Sequence, residues 1–159
     1  SFGHGLYPTM IQVASGYSSL VNGGKYYQPT VVAGVVDKDG KFVQDKTKEG
    51  EQVIQESTSA TMQEMTNQSL NSYTYSTHKK GYNIGGKTGT SEVIRNGAYT
   101  KDETIANFLG HGGDNDQKYV IMVRVSKKGS KMEGPTHGMP IFNEISNWMI
   151  DYLGIKTKG

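Results

Sequence analysis

Apolar positions repeat at steps of three and four residues near both ends of the chain, which is the spacing of an amphipathic helix. The first run extends from Thr9 to Val21, with Thr9 as a potential N-cap and Asn22-Gly23-Gly24 as a left-handed stop. The last run extends from about Pro140 to Leu153, and proline suits the first turn of a helix. We expect the core-facing side of this last helix to consist of Ile141, Phe142, Ile145, Trp148, Met149 and Tyr152.

The middle of the chain predicts a weaker helix followed by a loop. Ser57 to Ser59 are candidate N-caps, and Met62, Met65 and Ser69 would lie on one side of the helix that follows. The next stretch, Asn71 to Gly81, is polar and predicts a loop.

A β-hairpin is predicted early in the chain. Val31 to Val36 and Phe42 to Val43 are apolar runs with β-branched residues, and Asp37-Lys38-Asp39-Gly40 between them supplies an Asp-Gly turn.

Three more strands are predicted in the second half, at Ile84 to Ile94, Thr104 to Gly110 and Tyr119 to Val125. The last of them is almost continuously apolar, as expected of an inner strand covered on both faces. Its connection to the preceding strand, His111 to Lys118, is rich in Gly, Asp and Asn and predicts a surface turn. Short connections between these strands and the closing helix indicate an α+β fold, an antiparallel sheet with a helix packed on one face.

Composition narrows the class of protein. The 159 residues suffice for one domain, and 17 basic against 15 acidic side chains give a net charge of +2, which offers no electrostatic case for binding nucleic acid. The chain has no cysteine, so thiolate metal sites and disulfides are excluded. No run of about 20 apolar residues is present, and we expect membrane association only through an anchor upstream of this sequence.

The segment that ends in Lys87-Thr88 matches a nucleotide-binding pattern. Gly81 to Thr88 satisfies G-x-x-x-x-G-K-[ST], in which backbone N–H groups and the lysine bind phosphates. That chemistry needs a buried strand before the loop and a helix after it. The polar residues 73–80 do not predict the strand, and Gly89 with the β-branched residues beyond it disfavours the helix. A P-loop nucleotide binder therefore stays an unfavoured alternative.

The second interpretation places Lys87-Thr88-Gly89-Thr90 on a strand, as in penicillin-recognising serine enzymes. A strand projects alternate side chains to one face, so Lys87 and Gly89 would point one way and the two threonines the other. The glycine allows a ligand to lie against the backbone, the lysine supplies positive charge, and the threonine hydroxyls can bind a carboxylate. From these four residues alone, an incidental lysine on a surface hairpin is as good an interpretation as a penicillin-recognising motif.

Six segments of the sequence favour the penicillin-recognising motif over an incidental lysine, because their order and spacing together resemble a class B penicillin-binding protein. A methionine, Met10, stands where that family has proline. The segments are Phe2-Gly3-His4-Gly5 with Thr9-Met10-Ile11-Gln12-Val13-Ala14, Leu20-Val21-Asn22-Gly23-Gly24 with Pro29, Gly81 to Glu92, Asn107-Phe108-Leu109-Gly110, Tyr119-Val120-Ile121, and Met139-Pro140-Ile141-Phe142.

The resemblance implies that residues 1–159 are the C-terminal portion of a peptidoglycan D,D-transpeptidase domain with a partial penicillin-binding/β-lactamase-like fold. It implies that Lys87, Thr88, Gly89 and Thr90 line the site for the D-Ala-D-Ala stem peptide and β-lactams, with the Thr90 backbone N–H in the oxyanion hole. It implies no cofactor and a location on the outer face of the bacterial cell membrane. A non-catalytic module that binds the stem peptide is the alternative.

The family's nucleophile motif, S-x-x-K, belongs upstream of this segment, so we expect no nucleophile in this chain. Ser76-Thr77-His78-Lys79 spells the motif, but it lies in the polar loop after the helix and is interpreted as a chance match. The strand at Tyr119 to Val125 would then have an open edge. We expect it to be covered by the upstream part of the protein, by another chain, by a swapped element or by an irregular segment of this chain.

No metal site is predicted. The histidines His4, His78, His111 and His137 lack paired ligand spacing and are expected in surface turns. Asp114-Asn115-Asp116 lacks the downstream ligands of a calcium loop and predicts a polar turn.

Overall fold

Three helices and seven strands make up the fold in the computed structural model, which describes residues 6–45 and 49–158. Phe2-Gly3-His4-Gly5, and with it the histidine at position 4, lies outside the described residues. The elements in chain order are α1 (Met10–Val21), β1 (Lys25–Tyr26), β2 (Gly34–Val36), β3 (Phe42–Gln44), β4 (Glu51–Gln52), α2 (Glu56–Asn71), β5 (Asn83–Arg95), β6 (Ala98–Gly113), β7 (Lys118–Val125) and α3 (Met139–Leu153).

The first helix begins where its cap predicts. Thr9 accepts a hydrogen bond from the N–H of Gln12, and the Gln12 side chain accepts one from the N–H of Thr9, which forms a reciprocal capping box. After α1, Gly23 and Gly24 both have positive φ, as the predicted stop requires. The predicted β2–β3 hairpin is confirmed, with a shorter first strand and Gly40 at φ 79° in its turn.

The sheet that carries the candidate site has the order β5-β6-β7 and is antiparallel throughout. The α+β prediction, an antiparallel sheet with the C-terminal helix on one face, is confirmed. The core between sheet and helices contains Leu70, Ile84, Phe108, Val123, Met139, Phe142, Ile150 and Ile155. Strand β7 forms an edge of this sheet, and among the described residues no strand other than β6 pairs with it, so the prediction of an inner strand is not met within this chain.

Strand β6 is longer than predicted at both ends, and it begins at Ala98 instead of Thr104. Strand β6 extends to Gly113, so His111 belongs to the strand and not to the turn. The turn itself is built on Asp114, whose carboxylate accepts hydrogen bonds from the N–H groups of Asp116, Gln117 and Lys156, as a polar turn predicts.

The buried face of α3 matches the prediction only in part, since Phe142 is buried as predicted but most of the other predicted residues are exposed. Ile145, Trp148 and Tyr152 are exposed, and Trp148 stacks on Tyr152 with ring centroids 4.7 Å apart. The sheet instead takes the face with two polar residues, since hydrogen bonds satisfy both of them: Ser146 bonds the Tyr119 hydroxyl at 2.7 Å, and Asn143 donates to Ser76 at 3.0 Å. The buried residues of α3 are Met139, Phe142, Asn143, Ser146 and Ile150.

The predicted N-caps of α2 are also wrong. The helix begins at Glu56 after Gln55, so Ser57 and Ser59 lie within its first turn. Ser59 is fully buried, where it donates to the Leu20 carbonyl and accepts from the Gly23 N–H. The predicted apolar side is wrong as well, since Met65 is 58% exposed and the buried residues are Ser59, Thr66, Asn67 and Leu70.

Candidate substrate-binding site

The Lys87-Thr88-Gly89-Thr90 segment lies in the middle of β5, opposite residues 106–109 of β6. Asn96 and Gly97 join the two strands with φ values of 52° and 80°, the conformation that an Asn-Gly hairpin turn favours. Sequence reasoning missed this hairpin, although the Asn-Gly pair was a signal for it. Strand β5 is the other edge of the sheet, so its free side presents backbone groups that no described strand pairs.

Two glycines just before the motif let other residues approach β5 closely. A Cβ on Gly86 would lie 2.5 Å from the buried Phe108 ring. A Cβ on Gly85 would lie 2.7 Å from the side chains of both Asn67 and His111. These contacts fix the strand against α2 and the core where the candidate site begins.

Thr88 bonds two side chains through its hydroxyl. The Tyr73 hydroxyl lies 3.1 Å from Thr88 Oγ1, and the Lys87 ammonium donates to Oγ1 at 3.4 Å and to the Thr88 carbonyl at 3.2 Å. Sequence reasoning did not identify Tyr73. It lies in the loop after α2, 15 residues from Thr88, and nothing local in the sequence signals the contact.

Thr90 is also fixed by a hydrogen bond, on the face of β5 that it shares with Thr88. Its Oγ1 accepts a hydrogen bond of 3.2 Å from the N–H of Gly134, the first residue of a π-helical turn (Gly134–Gly138) that leads into α3. A Cβ on Gly134 would lie 2.9 Å from both the Gly89 carbonyl and Thr88 Cβ. The turn therefore packs directly against β5 on the threonine face, which agrees with the predicted alternation of the motif.

Lys87 is exposed, and among the described residues no carboxylate lies within ion-pair distance of it. Its ammonium donates to Thr88, and no described carboxylate neutralises its positive charge. Because the chain continues as strand through Arg95, the helix that a P-loop requires after Lys87 is absent from this part of the structure.

The Ser76-to-Lys79 match does not form a nucleophile pair. The Ser76 hydroxyl bonds His78 Nδ1 at 2.7 Å and Asn143, whereas the Lys79 ammonium bonds Asp151. The serine and the lysine are thus engaged with different partners, as the interpretation of a chance match expects.

Two of the histidines are buried, contrary to the expectation of surface turns. Burial lowers the pKa of His78 and of His111 to about 4, with further depression from the charges of Lys80 and Lys158 respectively. His111 Nδ1 lies 3.0 Å from the Tyr17 hydroxyl, and burial raises the pKa of Tyr17 to about 12. Across the described residues, no cluster of three or more His, Asp or Glu side chains could hold a metal ion.

Comparison with known proteins agrees with this geometry. The family model described as "Penicillin binding protein transpeptidase domain" matches residues 1–147. The chain is 31% identical to stage V sporulation protein D of Bacillus subtilis, and the match covers 99% of this chain and 25% of that protein. It is 26% identical to penicillin-binding protein PbpB of Mycobacterium tuberculosis, and this match covers 93% of this chain and 24% of that protein. It thus spans about a quarter of these relatives' length.

Solved structures show the same fold. Apo penicillin-binding protein 3 from Mycobacterium tuberculosis superposes with a TM-score of 0.83 at 22% identity, covering 99% of this chain and 38% of that one. The transpeptidase domain of Burkholderia pseudomallei penicillin-binding protein 3 superposes with a TM-score of 0.76 at 20% identity, covering 99% and 46%. The family match and the shared fold together show that the chain belongs to the penicillin-binding protein transpeptidase domain family.

Proposed function

We propose that residues 1–159 form the C-terminal portion of a serine D,D-transpeptidase domain, which cross-links peptidoglycan stem peptides and binds β-lactams. The observation that carries the proposal is the open edge of β5. There an exposed lysine with no described carboxylate partner lies beside two threonines that face the Gly134–Gly138 turn. This arrangement forms one wall of an acyl-transfer site.

The chemistry divides between this wall and a serine in the preceding part of the domain. That serine attacks the carbonyl of the D-Ala–D-Ala peptide bond, which breaks so that the terminal D-Ala leaves as a free amine and an acyl-enzyme ester remains. An amine of a neighbouring stem peptide then attacks the ester, forms the new peptide bond and releases the serine hydroxyl. Lys87 supplies positive charge beside the nucleophile, and the hydroxyls of Thr88 and Thr90 bind the terminal carboxylate, against the backbone at Gly89. The Thr90 N–H donates to the oxyanion, and such a donor stabilises the transition state by about 3 kcal/mol in other enzymes.

Solved relatives support the choice of ligand. Penicillin-binding protein 3 of Mycobacterium tuberculosis has been solved in complex with ampicillin and with aztreonam, and both complexes superpose on this chain with a TM-score of 0.83. At 22% identity these structures share the fold of this chain, and we propose that its domain binds the same class of ligand.

The preceding part of the domain is also the proposed cover for the free edge of β7. A free sheet edge with apolar residues tends to pair with another strand, and a strand from the preceding part of the same protein would cover this edge. We further propose that the protein acts on the outer face of the membrane, held by an anchor outside this sequence. None of the described helices is long and apolar enough to cross a bilayer.

The test is labelling with a fluorescent penicillin. The chain alone and the chain joined to the preceding half of the domain are each incubated with the label, and mass spectrometry locates the acylated residue. We expect labelling only of the joined protein, on a serine outside residues 1–159, with strong loss in Lys87→Ala and little change in the exposed-loop control Lys127→Ala. Labelling of the chain alone would overturn the proposal, and reversible binding of the joined protein without acylation would favour the non-catalytic module.

A further inference from the structure

We propose that Tyr73 is a positioning residue, which holds the Thr88 hydroxyl as a hydrogen-bond donor to the carboxylate of the substrate or β-lactam. The inference rests on the proposed function of Thr88 and adds a residue from outside the Lys87–Thr90 motif. It is carried by the hydrogen bonds at Thr88 Oγ1 and by the way the loop that contains Tyr73 is fixed.

The donor and acceptor capacities of the groups determine the arrangement. A threonine hydroxyl has one hydrogen to donate and can accept two hydrogen bonds. In the described structure its partners are the Lys87 ammonium, which can only donate, and the Tyr73 hydroxyl. When Thr88 donates to a carboxylate, Tyr73 must be the donor in the Tyr73–Thr88 bond. Both acceptor positions of Thr88 are then filled, and its hydrogen is directed to the ligand.

Thr90 has a matching arrangement. Its Oγ1 accepts from the Gly134 N–H, which leaves the Thr90 hydrogen available as well. The two threonine hydroxyls of the motif are thus each oriented by a donor behind them, a backbone N–H for Thr90 and a side-chain hydroxyl for Thr88. A carboxylate accepts from both, since it has no hydrogen of its own to donate.

Contacts fix both the Tyr73 ring and the later part of the loop that contains it. It packs against the hydrophobic core, and Tyr75 contacts it edge-on with ring centroids 5.8 Å apart. Further along the loop, the Lys79 N–H donates to Asn147 at 2.8 Å, and Asn147 donates to the Thr77 carbonyl at 2.9 Å. Helix α3 therefore fixes the loop, so the position of the Tyr73 hydroxyl is determined by the fold and not by the ligand.

The experiment uses the complete transpeptidase domain and compares a β-lactam with its carboxylate methyl ester. Tyr73→Phe removes the hydroxyl and keeps the ring. We expect the second-order acylation rate constant to fall about 3- to 10-fold for the free acid and less than about 2-fold for the ester, as the loss of one hydrogen bond predicts. Tyr75→Phe, the same change on the adjoining ring, is the matched control and should alter neither rate.

A double-mutant cycle with Thr88→Val separates this inference from the proposed function. If Tyr73 acts through Thr88, then Tyr73→Phe causes no additional loss in the Thr88→Val background. An equal slowing for acid and ester, or a further loss in that background, would overturn the inference. Thr88→Val that leaves acylation by the acid unchanged would instead refute the carboxylate-binding part of the proposed function, whereas loss in Thr88→Val without loss in Tyr73→Phe would refute only the role of Tyr73.

Discussion

Gly86 and Gly89 lie in the same strand, yet the structure predicts different consequences for an added methyl group. In Gly86→Ala the new Cβ would meet the Phe108 ring at 2.5 Å, and this ring is fully buried and cannot move aside. We expect the free energy of unfolding to fall by about 1–3 kcal/mol, which is typical of overpacking. Chemical denaturation of the complete domain measures this loss.

Gly89→Ala is the matched substitution in the motif. Its Cβ would meet only Asn107 Cβ at 3.5 Å, an ordinary contact, so we expect stability to change by less than about 0.5 kcal/mol. We expect β-lactam acylation to slow about 10- to 100-fold, because the methyl group would displace the ligand from the position that we propose for it against the backbone. Equal stability losses in the two variants, or full activity of Gly89→Ala, would contradict this distinction.

The buried histidines make stability depend on pH. The pKa of His111 is about 4 in the fold, against an ordinary value of 6.5, so between these pH values the unfolded chain binds a proton that the folded chain does not. Stability therefore falls as the pH decreases from about 6.5 to about 4, by on the order of 3 kcal/mol for this residue.

His78 has a similarly lowered pKa, so it provides an internal comparison. In His111→Asn we expect about half of the acid-induced loss to remain, since His78 still titrates. Unfolding by urea at pH 7 and pH 4.5 measures the two losses. An unchanged pH dependence in the variant would show that His111 protonates without cost in the folded protein.

The residues of the motif could be identified from the sequence, while their supporting contacts could not. Lys87 to Thr90 are contiguous, so strand alternation alone predicts which side chains share a face. Tyr73 and Gly134 reach the motif only through the fold, and a tyrosine in a polar loop has no periodicity that marks it. The buried Ser59 and Asn143 escaped prediction for a related reason, since their burial depends on partners distant in sequence.

At the scale of elements, type and order were predicted better than orientation. The Pro140–Leu153 helix was predicted within one residue of its observed start, because proline and apolar periodicity mark it locally. The side of this helix that faces the sheet was predicted wrongly for most residues. Hydrophobicity favours the side with Ile145 and Trp148, whereas the side with Ser146 packs against the sheet. Strands β1 and β4 are two residues each and left no sequence pattern to detect.

The junction of α1 and α2 depends on one buried hydroxyl. Ser59 donates to Leu20 at the end of α1 and accepts from Gly23 just beyond it. Ser59→Ala removes the partner of the Leu20 carbonyl and of the Gly23 N–H, both in half-buried residues, so we expect the free energy of unfolding to fall by about 1–3 kcal/mol. Ser57→Ala, an exposed change in the same turn, should cost less than about 0.5 kcal/mol. A similar cost for both would mean that helix propensity, and not the junction, accounts for the effect.

At the scale of the whole molecule, apolar surface is exposed in places other than the candidate site. The α3 stripe (Ile141, Ile145, Trp148 and Tyr152) is exposed along its length, and Trp148 is 57% exposed. The β2–β3 hairpin exposes Val35, Val36, Phe42 and Val43. Surfaces of this kind usually contact another part of a protein. They agree with the proposal that a larger domain surrounds this chain, since its relatives are about four times as long.

A substitution in the α3 stripe should have different effects in the chain alone and in the complete domain. In the chain alone, Ile145→Gln replaces an exposed apolar side chain and should reduce self-association, which sedimentation velocity measures. In the complete domain the same change should lower the free energy of unfolding by about 1–3 kcal/mol, because the side chain is then buried against the preceding part of the domain.

Glu144→Gln, an exposed neighbour, is the control and should change neither quantity much. If Ile145→Gln leaves the stability of the complete domain unchanged, then the stripe is not buried by the preceding part of the domain. If instead the substitution destabilises the chain alone as much as the complete domain, Ile145 contributes to the core of this portion by itself. Reduced self-association of the chain alone, together with reduced stability of the complete domain, indicates that the stripe is an internal surface of the transpeptidase domain.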